Sequence, residues 1–189
     1  MLADHTGVVF FPNNPLWRIA GRIAFPLFAY QLGVGYEHTS DRKKYALRLL
    51  LFALISQLPY YLVRGQWIPN IFFALLLSMG AISLYAGKKP GWLLLLLLAS
   101  SAIEFVLPYD GGAYGVIMIL LLYALPTFAQ QAVAVASITF LYTLSAESYI
   151  QMFCLLALPL LWGIKYLHLP LRVEADLSRI SKWVFYAFY

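Results

Sequence analysis

The 189-residue chain is 62% hydrophobic and only 11% charged, against about 45–50% apolar and about 25% charged in soluble domains. With a mean hydropathy of +0.77, too little polar surface exists to cover a water-facing shell, so a soluble globular domain is excluded and the solvent is lipid. The net charge of +5 sits in short gaps between apolar runs, which excludes a nucleic-acid patch and marks topology signals instead; the single cysteine excludes a disulfide framework.

A helix needs about 20 apolar residues to cross the hydrocarbon, fewer where flanking groups snorkel. Before the first long run, residues 1–11 are too short to span alone. Apolar runs then follow at 17–36, 45–63, 68–85, 91–107, 113–125, 129–144 and 149–166, and a further amphipathic segment begins at 176. The expected fold is all-α, a polytopic transmembrane helical bundle of about seven full spans plus partial helices at both ends. Residues 1–189 read as one transmembrane domain whose two ends look cut. Without a basic region before an apolar core, the N-terminus does not read as a cleavable signal.

Lys and Arg set the orientation, because cytoplasmic loops are enriched in them. If the runs alternate, Arg42, Lys43, Lys44, Arg48, Lys88, Lys89, Lys165, Arg172, Arg179 and Lys182 all fall on one side. The other side carries Arg64, Glu104, Asp110 and Glu147. The basic side is therefore expected to be cytoplasmic.

Charges within a span cost at least about 2.5–3.5 kcal/mol each, so each requires a reason. Asp4, His5, Arg18 and Arg22 stand out. Pro12, Asn13, Asn14 and Pro15 mark a tight turn, and an antiparallel hairpin pivoting there places His5 and Arg22 equally deep, about 12 Å inward at 1.5 Å per residue. Arg18 lies one turn outward on the face of Arg22. Asp4 is the nearest acid for either arginine, and such a pair serves equally as a hairpin clamp or as part of a site. His5 differs, since imidazole exchanges a proton near neutral pH.

Elsewhere, Glu37, His38 and Asp41 stand at a helix end beside the basic cluster; His38 and Asp41 read as a solvated terminus, while Glu37 stays a candidate. Gln57 and Asn70 read as interhelical hydrogen-bonding residues that also qualify as substrate-binding candidates. Asp110 precedes Gly111, Gly112, Ala113, Tyr114 and Gly115 and reads as a cap for the helix that follows. Glu104 is explained by simple exposure near a helix end, and Trp17, Trp67 and Trp92 by an interfacial aromatic belt. The histidines at 5, 38 and 168 lie on different segments, so no metal site is expected.

Asp4-His5-Thr6-Gly7, Phe10-Phe11-Pro12, the stretch Ile19 through Ala29, Arg42-Lys43-Lys44-Tyr45 with Arg48, Ile55-Ser56-Gln57-Leu58-Pro59 and Tyr114-Gly115-Val116 follow one another in order. This arrangement resembles the TraX family of bacterial integral membrane proteins. The resemblance implies an acyl-CoA-dependent membrane acyltransferase, whose family namesake acetylates the N-terminus of conjugative pilin. It implies acetyl or another short acyl group as cargo, and an envelope acceptor such as pilin, a glycan or a lipid. It also implies a bacterial inner-membrane location. The family pattern continues beyond Tyr189 into a Pro-Leu-His segment that this sequence does not include.

On that reading His5 is the general base and Arg22 an oxyanion donor with Asp4 beside them. Arg42, Lys43, Lys44 and Arg48 suit the phosphates of CoA. Arg18, Glu37, Gln57, Asn70, Asp110 and Tyr114 complete the substrate- and CoA-binding candidates. Two rivals remain. A transporter or flippase would use the same buried charges as a proton relay, with Pro26, Pro59, Pro126 and Pro159 breaking helices round a cavity. A structural subunit would use them to pair with a partner helix.

Overall fold

A computed structural model describes residues 10, 11, 14–146 and 149–166. Asp4, His5 and the segment from 176 onward lie outside the described residues. Among the described residues every regular element is helical: α1 (Pro15–His38), α2 (Arg42–Arg64), α3 (Ile71–Ala86), α4 (Pro90–Val106), α5 (Gly112–Ala124), α6 (Phe128–Ala146), a 3-10 stretch η1 (Tyr149–Leu156) and α7 (Ala157–Tyr166). Each expected apolar run thus becomes helix, with ends within a few residues of the Gly, Pro and charge boundaries. The run at 149–166 is corrected in kind, since its first eight residues wind as a 3-10 helix before the α-helical part begins. Pro26 and Pro59 sit inside α1 and α2, which continue past them, so these two prolines do not break their helices as the transport reading supposed.

Among the described residues, three segments are long and apolar enough to cross a bilayer, namely Arg42–Arg64, Phe128–Ser145 and Tyr149–Tyr166; Ile71–Ala86, Pro90–Val106 and Gly112–Ala124 are apolar but shorter, and α1, expected as the first full span, is in neither group. Burial explains part of that difference. The residues form two compact units, Phe28–Ala146 and, separately, Met1–Leu27 with Glu147–Tyr189. In the first unit α3 packs against α2, α4 and α5, and α5 packs in turn against α4 and α6. The short helices α3 and α5 therefore form the centre, and Phe72, Ala74, Ile82, Val116, Met118 and Ile119 are at most 2% exposed.

Helices on the outside show the reverse pattern. Leu47, Leu51, Leu54 and Leu58 on α2 and Leu94, Leu95 and Leu98 on α4 are all exposed. Rows of bare leucine this long are excluded from a water-facing surface and match lipid contact. In the second unit η1 and α7 pack on each other, with Cys154, Ala157 and Leu161 buried.

Candidate functional site

The first two turns of α1 carry two cations, Arg18 and Arg22. Asn14 Oδ1 accepts from the Leu16 amide at 3.0 Å, and Pro15 supplies the preset φ of a first helical residue, so the helix starts at Pro15; Pro12 and Asn13 of the expected turn lie outside the described residues. Phe11 stacks on Trp17 at 5.4 Å between ring centroids. Arg18 and Arg22 follow at helical spacing of four, on one face. The Nε atoms of both are buried and have no hydrogen-bond partner among the described residues. Arg carries a fixed positive charge, and the first turn of α1 contains no acid to offset it. Of the expected catalytic set only Arg22 is described; Asp4 and His5 lie outside.

A second cluster gathers where α1 ends and α2 begins. Asp41 caps α2 by accepting from the Lys44 amide at 3.0 Å and ion-pairs with Lys44 Nζ at 3.3 Å. The Lys44 amide holds the Asp41 carboxyl below its ordinary pKa. The Arg42 guanidinium lies over the Tyr36 ring, 4.4 Å from its centroid. Arg48 Nε donates to the Lys44 carbonyl at 3.3 Å. Arg42, Lys43, Lys44, Arg48, Glu37 and His38 are exposed, whereas Tyr36 is 2% exposed. Tyr123 meets both Tyr36 and Tyr85 edge-on at 5.9 and 6.2 Å. This tyrosine trio was not read from the sequence. Its signal was Gly33, which sits one turn before Tyr36 and leaves room for the Tyr123 ring at 3.3 Å from where a Cβ would stand.

Gln57, Asn70, Asp110 and Tyr114 belong to the other end of the same unit. Nine residues separate Arg48 from Gln57 along α2, about 13 Å at helical rise. Gln57 Nε2 donates to the Ile68 carbonyl at 2.8 Å and its Oε1 accepts from the Asn70 amide at 3.0 Å. Asn70 Nδ2 donates to the Ala53 carbonyl at 2.8 Å and to Ser56 Oγ at 3.1 Å, while its Oδ1 caps α3 by accepting from Phe72 N at 3.0 Å. The pair thus staples α2 to the start of α3. The Asp110 amide donates to the Pro69 carbonyl at 2.9 Å. Tyr114 shares a 2.9 Å hydrogen bond with Thr139 and stacks on Tyr142 at 4.5 Å. Tyr60 lies within electrostatic reach of Asp110 and Arg64, and Arg64 Nε donates to its hydroxyl at 3.2 Å.

One expectation is corrected here. Gly111, not Asp110, is the residue at the cap of α5, and it makes no side-chain cap bond. The cap comes from the preceding helix, where Glu104 Oε2 accepts from the Ala113 amide at 2.8 Å. Glu104 therefore has a definite structural role that simple exposure does not describe. A reading along the sequence looks for the cap next to the helix it closes, and Glu104 is nine residues away. Among the described residues no three His, Cys, Asp or Glu side chains gather as metal ligands.

Among the described residues, rows of exposed leucine, apolar helices packed on a short buried pair and three segments long and apolar enough to cross a bilayer define a helical membrane protein. Within that class the chain belongs to the TraX family, whose model, described as TraX protein, matches residues 1–189. It is 30% identical over 126 residues to "Protein TraX" of Escherichia coli, covering 65% of this chain and 49% of that protein. It is also 30% identical over 141 residues to the "Probable fimbrial assembly protein FimC, serogroup H1" of Dichelobacter nodosus, covering 65% of this chain and 56% of that protein. The chain spans about half the length of these curated relatives. No solved structure matches it.

Proposed function

We propose that the protein is an inner-membrane acyltransferase that moves an acetyl or other short acyl group from acyl-CoA to an envelope acceptor. The observation that supports this most is Arg22, a cation fixed in an apolar helix with a buried Nε that meets no partner among the described residues. Such a donor matches the need of a tetrahedral oxyanion, which gains more from a hydrogen bond in a dry site than its ground-state carbonyl does. The exposed cations Arg42, Lys43, Lys44 and Arg48 suit the phosphates of CoA on the cytoplasmic side. The name of the Dichelobacter relative, a fimbrial assembly protein, favours a pilin subunit among the acceptors.

In the proposed reaction the His5 imidazole takes the proton of the acceptor amine or hydroxyl as that group attacks the thioester carbonyl. The new C–N or C–O bond forms, the oxyanion accepts from Arg22, the C–S bond breaks, and the CoA thiolate leaves with the proton that His5 returns. The test is label transfer. Membranes carrying the protein are incubated with labelled acetyl-CoA and envelope extract, beside His5→Ala at matched expression. Label that appears in an envelope component and vanishes in the variant supports the reading and identifies the acceptor. Equal label in both removes His5 as the base, and no CoA binding by the intact protein moves the reading to transport or scaffolding.

A further inference from the structure

We infer that Arg18 is the centre of an interfacial binding site for the phosphate group of a membrane lipid. The inference does not depend on acyl transfer. Three observations meet at the start of α1. The first is charge without an answer: Arg18 and Arg22 stand one turn apart, both Nε atoms are buried without a hydrogen-bond partner among the described residues, and no acid occupies the first turn. The end of a helix where backbone N–H groups are unpaired already carries positive partial charge, so cations there are unfavourable unless an anion joins them.

The second observation fixes the depth. Trp17 stacks on Phe11, and Phe10, Phe11 and Leu16 are all exposed. Stacked Trp beside exposed apolar side chains is the pattern of the headgroup boundary, where an indole sits between tails and water. Arg18 is the next residue after Trp17, about 1.5 Å further along the helix, so its side chain is long enough to bring a guanidinium back to that boundary by snorkelling. The third is access. Arg18 and Arg22 are only half-buried although their Nε atoms are covered, so neither side chain is sealed off from an approaching group.

Phosphate is an anion whose geometry the guanidinium fork matches and the one that a membrane supplies at its headgroup boundary, and Arg holds it through parallel charge-assisted hydrogen bonds. A diester headgroup anchored by its own acyl chains would present that phosphate at the Trp17 level, with the tails lying along Phe10, Phe11 and Leu16. Arg18 then takes the phosphate, and Arg22, one turn along, faces deeper into the apolar layer. The same chemistry could be met by the phosphates of CoA or by inorganic phosphate, and the experiment separates these sources.

Native mass spectrometry of the full chain released from detergent measures retention of dioleoylphosphatidylglycerol against dioleoylglycerol, which has the same tails and no phosphate. Selective retention of the phospholipid by wild type, weakened about tenfold in Arg18→Gln as expected for one lost charge-assisted hydrogen bond, supports the site. Arg18→Lys should retain more lipid than Arg18→Gln because it keeps the charge while losing the fork. Arg64→Gln, which removes a cation that is exposed in a different unit, should match wild type. Helix content by circular dichroism confirms that each variant is folded. Equal retention by wild type and Arg18→Gln overturns the inference. So does displacement of the lipid by millimolar CoA or inorganic phosphate. Retention that appears only in Asp4→Asn also overturns it, since Asp4 would then be the anion that fills the site.

Discussion

The carboxylate of Glu104, at the end of α4, accepts a hydrogen bond from the Ala113 amide at 2.8 Å and so closes the start of α5 from outside its own helix. An anion at that position satisfies an orphan N–H and opposes the positive end of the helix. Glu104→Ala should therefore destabilise the protein by about 1–2 kcal/mol, read as a lower thermal midpoint in detergent. Gly112 makes a second test of the same contact. Its φ is +54°, and a Cβ there would overlap the Glu104 carboxylate, so Gly112→Ala should cost about 2 kcal/mol from backbone strain and loss of the cap together.

Asn70 is 2% exposed; its side-chain oxygen caps α3 and its side-chain nitrogen ties that helix start to α2. Its replacement by Ala removes an N-cap and two donated bonds, an expected loss of about 2 kcal/mol. Gln57→Ala gives up one donated and one accepted bond at a partly buried position, with an expected loss of about 1 kcal/mol. Chemical unfolding of both variants checks the ranking. A substrate role for either would show as a rise in KM beyond what the lost folded fraction explains.

The helices were legible because lipid makes each one declare itself. In 45–63 and 129–144 apolar side chains predominate despite Arg48, Gln57 and Pro59 in the one and Gln130 and Gln131 in the other, and α2 and α6 extend only one to three residues past those limits. The two cation clusters were legible for the same reason, since each charge stands out against an apolar background. What could not be read was how polar side chains pair across helices. Glu104 meets Ala113, and Tyr123 meets both Tyr36 and Tyr85, only through packing that brings sequence-distant turns together. Such pairs have no fixed spacing. The 3-10 winding of Tyr149–Leu156 was hidden too, because a run such as Tyr-Ile-Gln-Met-Phe-Cys-Leu-Leu carries no local signal separating the two helix types.

Asp41 gives α2 a pH-dependent cap. Its folded pKa lies below the ordinary 3.8 chiefly because its carboxylate accepts from the Lys44 amide. A depressed carboxylate contributes its stability above the unfolded value and loses it as pH falls through the folded one. The loss therefore begins as pH drops below about 3.8. Asp41→Asn keeps a competent cap but removes the titration. The variant's thermal midpoint should follow wild type near neutral pH apart from the lost Lys44 ion pair, and fall less steeply in acid.

The two groups assigned to acyl-CoA should separate in steady-state kinetics. Arg48 is exposed and its guanidinium makes a single 3.3 Å bond to the Lys44 carbonyl, whereas Lys44 is already ion-paired with Asp41. If these cations bind CoA phosphates, Arg48→Gln should raise KM for acetyl-CoA about tenfold, the value of one charge-assisted hydrogen bond. Lys44→Gln should raise it less, because part of its charge is spent on Asp41. Both effects should shrink as salt is added, since exposed charges are screened. His5→Ala should instead lower kcat by about a hundredfold or more, the usual contribution of a positioned base, with little change in KM. A basic loop that serves only to orient the protein in the membrane would leave KM unchanged in both variants, and that result would detach the cluster from CoA without touching the assignment of His5.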